Sequence, residues 1–399
     1  MSMLKSVVFP ADWTTIPFGR VAPRVQDSGR PDLESLSVFL GAGVVPRSSR
    51  EDNHNQLGED MGKYLVVEPG DIVFNKLRTW QGGLGASKYL GLVSPAYFVC
   101  RPKPNFDSTF LQYLLLSSTY LQELTRISKW QPPSQFDIGW EQLKLLPIVA
   151  PDLVQQKAIA DYLDRETIRI DALIEKKKRM IELTELRRRQ YWVETLDRLV
   201  QLTSRKIPLK YCAVEVKAPN KNGKETNRLS LSDGRVVAKD IESQDGLLPE
   251  SFETYNIVRS GDVVLRLTDL QNDQRSLRVG HVQEAGIITS AYVALRSTRS
   301  IDPSFLTLVL RGMDARKDFY ALGAGVRQSL KFDELGRLQI PVLSLDVQQE
   351  TVLAASRIDD FSLALSGLLK DQIILLNEER HALITAAVTG ELKIPEVAA

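Results

Sequence analysis

The amino-acid sequence predicts a mixed α+β fold: two globular domains separated by two long antiparallel coiled-coil helices, in a tandem pseudo-repeat. Three observations support this prediction. A long helical stretch lies at the middle of the chain, and a second stretch of the same design lies near its end. Short motifs recur in the same order in both halves, which indicates that one module is present twice.

Residues 152–200 predict the central helix because they contain neither Gly nor Pro and are rich in good helix formers. Asp152 followed by Gln155 is typical of a capping box at a helix start. Apolar residues then recur at heptad spacing, with one slip near Ile181, as in a seam that packs on a partner helix. The predicted seam residues are Ile159, Leu163, Ile170, Ile174, Ile181, Leu186, Val193 and Val200.

Residues 346–388 predict the partner helix. Asp346 and Gln349 are expected to repeat the cap, and Gly390 supplies a stop signal. The predicted seam consists of Ile358, Leu365, Leu369, Leu376 and Leu383. We expect the two helices to pair.

The two halves of the chain share five sequence blocks whose offsets differ only slightly. The matched blocks are 64–73 with 255–264 at an offset of 191, 91–97 with 286–292 at 195, 110–111 with 305–306 at 195, 146–147 with 340–341 at 194, and 154–156 with 347–349 at 193. The apolar framework matches, whereas the loops differ, with KLRTWQGG in the first half against RLTDLQND in the second. Conserved framework and varied loops favour two copies that recognise different targets.

Composition restricts the classes of function. Lys and Arg total 51 against 50 Asp and Glu, whereas a protein that holds DNA alone is usually more basic. Either local basic patches or a partner must then supply the positive charge. Only two cysteines and three histidines are present, which argues against a structural zinc site. Two unpaired cysteines suit a reducing cytoplasm. We expect a cytoplasmic protein, because no stretch reaches the roughly 18 apolar residues of a membrane span and no signal peptide is evident.

No catalytic constellation is predicted. Residues 40–44 and 322–326 both read LGAGV, similar to a glycine loop for S-adenosylmethionine, but they are not equivalent in the repeat. Residues 131–134, QPPS, lack the leading Asn or Asp and the aromatic end of an amino-methyltransferase tetrapeptide. Asp71 and Asp262 could suggest nuclease carboxylates, but neither precedes an acidic-x-Lys pair. A turn role is the simpler interpretation.

The ordered motifs resemble the specificity (S) subunit of Type I restriction–modification enzymes over nearly the whole chain. The motifs that carry the resemblance are the Gly-Asp turns at 69–73 and 260–264, the S/T-x-A-Y blocks at 94–97 and 289–292, the Gln-Gln pairs at 155–156 and 348–349, and the ending at 387–392. The family usually has Glu-Gln where this chain has Gln-Gln.

The resemblance implies target-recognition domains at 1–147 and 204–341, a central helix at 148–203 and a C-terminal helix at 342–399 that pairs with it. Each domain would read half of a bipartite site in double-stranded DNA. Two methyltransferase subunits and, in the complete enzyme, restriction and motor subunits would perform the chemistry. This chain would be non-catalytic and bind no metal or cofactor, with S-adenosylmethionine, Mg and ATP on the partner subunits. The alternatives are a coiled-coil adaptor that binds only protein and a fused methyltransferase, which the missing motifs disfavour.

DNA contacts are predicted in loops that combine donors and acceptors for base edges with cations for phosphates. In the first copy these residues are Lys76, Arg78, Thr79, Trp80 and Gln81, then Lys129, Trp130, Gln131, Ser134 and Gln135. In the second copy they are Arg266, Thr268, Asp269, Gln271, Asn272 and Arg275, then Arg327, Gln328, Ser329 and Lys331. Each could instead belong to a solvated turn, and the two tryptophans could be core. The basic runs 176–179 and 187–189 could face DNA or simply be the wet side of the helix.

Overall fold

The chain divides into two compact units. A computed structural model describes residues 4, 7–49, 60–131, 135–239, 251–270, 277–322 and 329–395. Unit 1 comprises Met1–Lys176 and Asp371–Ala399, and unit 2 comprises Lys177–Lys370. Two long helices contribute to both units. The early turns of the first and the last turns of the second belong to unit 1, and the remaining turns of both belong to unit 2.

Unit 1 is built on a four-stranded antiparallel sheet with the strand order β2-β9-β6-β7. Its elements are β1 (Thr14–Pro17), α1 (Phe18–Val21), β2 (Arg24–Val25), β3 (Leu36–Phe39), β4 (Gly43–Pro46), β5 (Leu65–Val67), β6 (Ile72–Asn75), β7 (Leu84–Ala86), β8 (Gly91–Val93), β9 (Tyr97–Cys100), α2 (Ser108–Leu116), α3 (Ser118–Ile127), β10 (Lys129–Gln131), β11 (Gln135–Asp137), α4 (Trp140–Leu143), β12 (Pro147–Ala150) and the long helix α5 (Leu153–Leu202). Antiparallel pairs β1–β12, β3–β4, β5–β8 and β10–β11 surround the sheet.

Unit 2 repeats this topology with the sheet order β14-β21-β18-β19. Its elements are β13 (Lys206–Pro208), α6 (Leu209–Cys212), β14 (Ala213–Glu215), β15 (Leu229–Ser232), β16 (Arg235–Ala238), β17 (Asn256–Val258), β18 (Val263–Leu265), β19 (Val279–His281), β20 (Gly286–Ile288), β21 (Val293–Ser297), α7 (Pro303–Ala315), α8 (Phe332–Leu335), β22 (Gln339–Pro341) and the long helix α9 (Leu345–Val388). The pairs β13–β22, β15–β16 and β17–β20 match those of unit 1. The predicted mixed fold, with its duplication and two long helices, is therefore confirmed.

Both faces of each central strand are buried. In β6, Ile72 and Phe74 belong to the main core of unit 1, while Val73 belongs to a smaller cluster on the opposite face. In β18, Val263 and Leu265 similarly face the main core, and Val264 faces a second cluster. Because successive side chains of a strand point to opposite faces, burial on both sides explains why these strands are continuously apolar.

The starts of the long helices confirm one cap and correct the other. The Asp152 carboxylate accepts a hydrogen bond from the Gln155 backbone N–H at 2.9 Å, as predicted. α9, however, begins at Leu345, so Ser344 stands at the cap position and Asp346 lies in the first turn. The predicted cap at Asp346 was wrong because the shared Val-Gln-Gln letters placed the second helix one residue too far along the chain.

Hydrogen bonds fix the true correspondence between the helix starts. The side-chain Oε1 of Gln156 accepts from the Asp107 backbone N–H at 2.9 Å, and that of Gln348 accepts from Asp302 at 2.8 Å. Both glutamines are buried, with exposed fractions of 1% and 0%. Gln348 therefore corresponds to Gln156 rather than to Gln155, and the offset of 193 inferred from the sequence is corrected to 192.

The strand before each helix has the same corrected offset of 192, two residues less than the offset of 194 inferred from the sequence. The Phe18 backbone N–H donates to the Leu146 carbonyl at 2.7 Å, and the Leu209 N–H donates to Leu338 at 2.8 Å. Leu338 is thus the equivalent of Leu146, which replaces the match with Ile340 made from the sequence. The Leu-Pro and Ile-Pro letters coincide without structural equivalence.

The heptad seam of α5 is confirmed only in unit 1. Ile159, Leu163, Ile170 and Ile174 are all buried there. After the slip the prediction was wrong at Leu186, which is 58% exposed, whereas Val193 and Val200 are half-buried and Val200 packs against the core of unit 2.

In unit 2 the buried residues of α5 are Arg188, Trp192, Thr195, Leu196 and Leu199. The face that they form packs on α7: a Cβ on Gly312 would lie only 2.8 Å from the Leu196 Cβ. The later turns of α5 thus serve a broad core rather than a two-helix seam, which a heptad pattern does not anticipate.

The predicted seam of the partner helix is confirmed at Leu369, which is 5% exposed, but not at Ile358, which is 38% exposed. The small residues Ala355 and Ser362 are buried in addition. α9 ends at Val388, and Gly390 has a φ of +77°, as the predicted stop requires. None of the described helices combines the length and apolar character needed to cross a membrane.

Candidate nucleic-acid interface

The aspartates of the repeated Gly-Asp turns support the fold. Asp71 is 1% exposed, and its two carboxylate oxygens accept from Arg101 Nε at 2.9 Å and Nη2 at 3.0 Å. Asp262 makes the equivalent pair with Arg296 at 2.7 Å for both bonds. Each aspartate also accepts a backbone N–H across its own turn. The turn interpretation of these carboxylates is therefore supported over a nuclease role.

Backbone hydrogen bonds close the loop between β6 and β7 in unit 1. The Gly83 N–H donates to the Arg78 carbonyl at 2.8 Å, and Gly82 adopts a φ of +85°. Thr79 is completely buried, and its hydroxyl donates to the Asn75 carbonyl at 2.8 Å. Its side chain thus presents no surface in this conformation and stabilises the loop from inside.

The remaining residues predicted in this loop are at least partly accessible. Arg78 and Gln81 are exposed, while Lys76 is half-buried with its Nζ 5.2 Å from the centre of the Phe98 ring. Trp80 is also half-buried, and its ring centroid lies 5.1 Å from that of Phe136. The loop therefore presents a cation and an amide beside an aromatic surface.

The second predicted segment of unit 1 forms the β10–β11 hairpin beside this loop. The Ile138 N–H donates to the Lys76 carbonyl at 3.3 Å, which ties the two segments together. Lys129 is exposed, and Trp130 is 57% exposed, so Trp130 is not a core residue. Gln131 and Gln135 are paired across the hairpin, and Ser134 lies outside the described residues.

In unit 2 a buried arginine organises the corresponding loop. Arg278 has no exposed surface, and its guanidinium donates to the carbonyls of Arg266 at 3.1 Å, Thr268 at 2.9 Å and Asp269 at 3.2 Å. Asp269 adopts a φ of +56° in this arrangement. Sequence reasoning missed Arg278, because its three partners are backbone carbonyls and nothing in the local sequence reveals them.

The predicted residues of unit 2 surround this arginine. Arg266, Thr268 and Asp269 are half-buried, and Ser329 and Lys331 are exposed. The predicted contacts outside the described residues are Gln271, Asn272, Arg275, Arg327 and Gln328.

The two predicted segments of unit 2 meet through the same backbone bond as in unit 1. The Leu330 N–H donates to the Leu267 carbonyl at 3.0 Å. Each unit therefore brings two separate polar segments together at one edge of its sheet. Unit 1 holds amide, cationic and aromatic groups side by side, and the described residues of unit 2 offer cations, hydroxyls and a carboxylate. Such groups contact bases and phosphates.

Tyr97, from the S/T-x-A-Y motif, lies at the foot of the unit 1 loop. Burial raises the pKa of Tyr97, and the nearby cations Arg47 and Arg78 act against this shift. Its hydroxyl lies 3.3 Å from the donating amide of Asn75. The phenol therefore remains protonated and neutral at physiological pH.

The basic run on α5 has two environments. Arg187 is exposed, as a solvated face predicts. Arg188 is only 3% exposed, pairs with Glu185 at 3.0 Å and lies 5.0 Å from the Trp192 ring. The run is therefore not uniformly on the wet side of the helix.

The fold defines a class of proteins with two copies of one globular module joined through two long helices. No family model matches the chain, and no curated protein matches it. Among solved structures, it is similar to a chain of a type I R-M system, from work on complex assembly and conformational transition. That pair has a TM-score of 0.67 and 15% identity, with 96% of this chain and 100% of the other covered.

The HsdS subunit from Thermoanaerobacter tengcongensis is also similar, with a TM-score of 0.55 and 15% identity over 96% of this chain and 98% of that one. The chain thus has the fold of a type I R-M specificity subunit, which confirms the fold that its sequence motifs implied.

Proposed function

We propose that the chain is the DNA-reading specificity subunit of a Type I restriction–modification complex. One observation carries the proposal: both units join two polar segments through the same backbone bond, while those segments differ in sequence. Domains 1–147 and 204–341 each read one half of a bipartite site in double-stranded DNA. The helices at 148–203 and 342–399 pair as the spacer between them.

The accessible residues of the two interfaces have distinct roles in this proposal. Arg78 contacts guanine or a phosphate, Gln81 reads adenine, and the exposed Lys129 and Lys331 neutralise phosphates. Trp130 offers an exposed aromatic surface. The candidates that lie outside the described residues keep their predicted roles.

Partner subunits supply the chemistry in this proposal. Two methyltransferase subunits bind S-adenosylmethionine, and restriction and motor subunits use Mg and ATP, in the cytoplasm. The net charge of +1 supports dependence on partners, because affinity for DNA follows the number of phosphates that are neutralised. The chain alone is then a weak DNA binder and performs no methyl transfer.

The decisive experiment is co-expression with the neighbouring gene products, followed by co-purification and sequencing of methylated bases. We expect one bipartite methylated motif. Arg78→Ala should alter or abolish recognition of one half-site, whereas Arg30→Ala, at an exposed arginine that is paired with Asp32 and is not among the predicted contacts, should leave the motif unchanged. Co-purification without any methylated motif would favour the protein-binding adaptor. Methyl transfer by the purified chain alone would favour a fused methyltransferase.

A further inference from the structure

Unit 2 contains a cavity of about 310 Å³ beside the later turns of α5. The residues important for its chemistry are Glu185, Arg188, Arg189, Asp233, Arg235, Ser366 and Lys370. They come from α5, from α9 and from the hairpin β15–β16. Asp233, Arg235 and Lys370 are exposed and Arg188 and Ser366 are buried, so the cavity has an accessible rim and an enclosed floor.

The floor presents polar atoms without partners. Arg188 is 3% exposed and Ser366 is 5% exposed. Among the described residues, Arg188 Nε and Ser366 Oγ make no hydrogen bond. Buried polar groups are nearly always hydrogen-bonded, so Arg188 Nε and Ser366 Oγ can each still take an acceptor.

The charge of the lining specifies the sign of that acceptor. Four cationic side chains line the cavity against two carboxylates. One carboxylate, Glu185, is already paired with Arg188 at 3.0 Å. A compact anion with several acceptor oxygens would complete both the charge and the hydrogen bonds of the floor.

We propose that this cavity binds a phosphate-class oxyanion. Its oxygens accept from Arg188 and Ser366 on the floor, while Arg235 and Lys370 neutralise it at the rim. The same chemistry has two sources, a free phosphate ion and a backbone phosphate of DNA. The oxyanion site stands without the proposed function, and only the DNA source rests on it.

A cavity in unit 1 offers an internal comparison. It measures about 450 Å³ and is lined by Arg380 of α9 and by the β3–β4 turn. Arg380 lies 3.3 Å from the Asp171 carboxylate, and its side chain is 31% exposed. Within the described part of the chain Arg380 Nε also makes no hydrogen bond, but its guanidinium lies against the Asp171 carboxylate and no buried serine accompanies it, so Arg380→Gln is a suitable control.

The test is a calorimetric titration of the full-length chain with inorganic phosphate. A titration with chloride at matched ionic strength serves as the comparison. We expect one phosphate per chain. The double variant Arg235→Gln/Lys370→Gln should bind at least about tenfold more weakly, as expected for lost charge-assisted bonds. Ser366→Ala should weaken binding severalfold, while Arg380→Gln and the exposed Arg198→Gln should bind as the wild type does. Equal affinity in the double variant, or no difference between phosphate and chloride, would overturn the proposal.

A second arm identifies the source of the phosphate. Binding of a duplex is measured against salt concentration for the co-purified complex and its double variant. If DNA supplies the phosphate, the slope of log K against log salt falls by about one and inorganic phosphate competes. If a free ion supplies it, DNA binding is unchanged while the loss of phosphate binding persists. Either result supports the site. If neither the wild-type complex nor its double variant bound DNA, the proposed function would be contradicted. The phosphate titration would still decide whether the cavity binds an oxyanion.

Discussion

The loop that joins β6 to β7 in unit 1 and β18 to β19 in unit 2 differs in its internal support between the two units. In unit 1 the Asn75 N–H donates to Gly83 at 2.8 Å, and in unit 2 the Arg266 N–H donates to Arg278 at 2.9 Å. Gly83 and Arg278 stand at equivalent places, directly before β7 and β19. A short loop closes on itself through backbone turns and glycine, whereas the longer loop of unit 2 is held by a buried guanidinium.

This difference shows how one framework carries two unlike surfaces. The buried Asp-Arg pairs of the turns are the same in both units, and so are the sheet orders. The residues that shape each loop have changed together with its exposed residues. The support of a loop in one unit therefore cannot be inferred from its counterpart.

The largest expected effect is loss of the buried guanidinium in unit 2. Arg278→Met leaves three carbonyls without their donor and should lower the free energy of unfolding by about 3 kcal/mol. Hydrogen exchange should localise the loss to unit 2, and urea denaturation should give its size. The exposed Arg299→Met is the control. An unchanged exchange rate around 263–270 would contradict the role of Arg278.

The β6–β7 loop of unit 1 should be destabilised by an added methyl group at Gly83. A Cβ at Gly83 would lie 2.7 Å from the Arg78 carbonyl oxygen, so Gly83→Ala must displace the loop and should cost about 2 kcal/mol. Gly367→Ala is an opposite control, because beyond the adjacent residues and the backbone of its own helical turns no described atom lies within 4 Å of its Cβ position. In the helix it should stabilise by about 0.5–1 kcal/mol. Urea denaturation shows whether each variant raises or lowers the free energy of unfolding. An unchanged free energy of unfolding in Gly83→Ala would show that the loop is not tightly closed.

Alkaline pH should destabilise unit 1 more than unit 2, because one buried tyrosine of unit 1 has a counterpart in unit 2 that does not ionise. Burial raises the pKa of Tyr113 to about 12, whereas its counterpart in α7 is the non-ionising Leu308. Since the unfolded tyrosine titrates near pH 10, its contribution is complete below that pH and lost as pH rises from about 10 to 12. The loss should be about 1 kcal/mol by pH 11.

Urea denaturation at pH 9 and 11 tests this prediction, with hydrogen exchange to localise it. Tyr113→Phe should reduce the alkaline loss while costing some stability at pH 9, because Asp164 loses a hydrogen bond of 2.7 Å. An identical pH response in the variant would rule out Tyr113 as the source.

The smallest effect concerns the cysteines, one in each unit. Both are free and buried, and burial raises the pKa of Cys212 to about 11 and that of Cys100 further. Because the thiolate is the reactive form, neither should react readily with iodoacetamide at neutral pH. Mass spectrometry of labelled peptides should show Cys212 reacting first as the pH rises. Rapid labelling of Cys100 in the native chain would contradict its burial.

The duplication could be predicted from sequence because its framework residues are buried and chemically constrained. Asp71 and Asp262 kept their identity through the arginines they bind, so their blocks aligned correctly. At the helix starts a slip of one residue still matched letters, and only the bonds of Gln156 and Gln348 resolve it. Leu186 was misassigned because the spacing of apolar residues predicts one buried stripe along a helix. It does not show which other elements the helix packs against.

The candidate interface was predictable as segments rather than as side chains. Residues 76–81 and the β10–β11 hairpin were selected separately, and the structure brings them together. Their polarity identified them, but polarity does not separate the buried Thr79 from the exposed Gln81. Arg278 was missed because its partners are backbone carbonyls, which leave no trace in the sequence.

Unit 1 is built from two separate segments of the chain, and this has a consequence for its folding during synthesis on the ribosome. Unit 2 is one continuous segment, Lys177–Lys370, whereas unit 1 needs both Met1–Lys176 and Asp371–Ala399. The nascent chain therefore holds all of unit 2 before unit 1 is complete. The first module emerges early but must wait for the last turns of α9, which bring the buried Ile384, Ala387 and Val388 to its core. Translation thus reverses the order in which the two modules are encoded: the second can finish folding first.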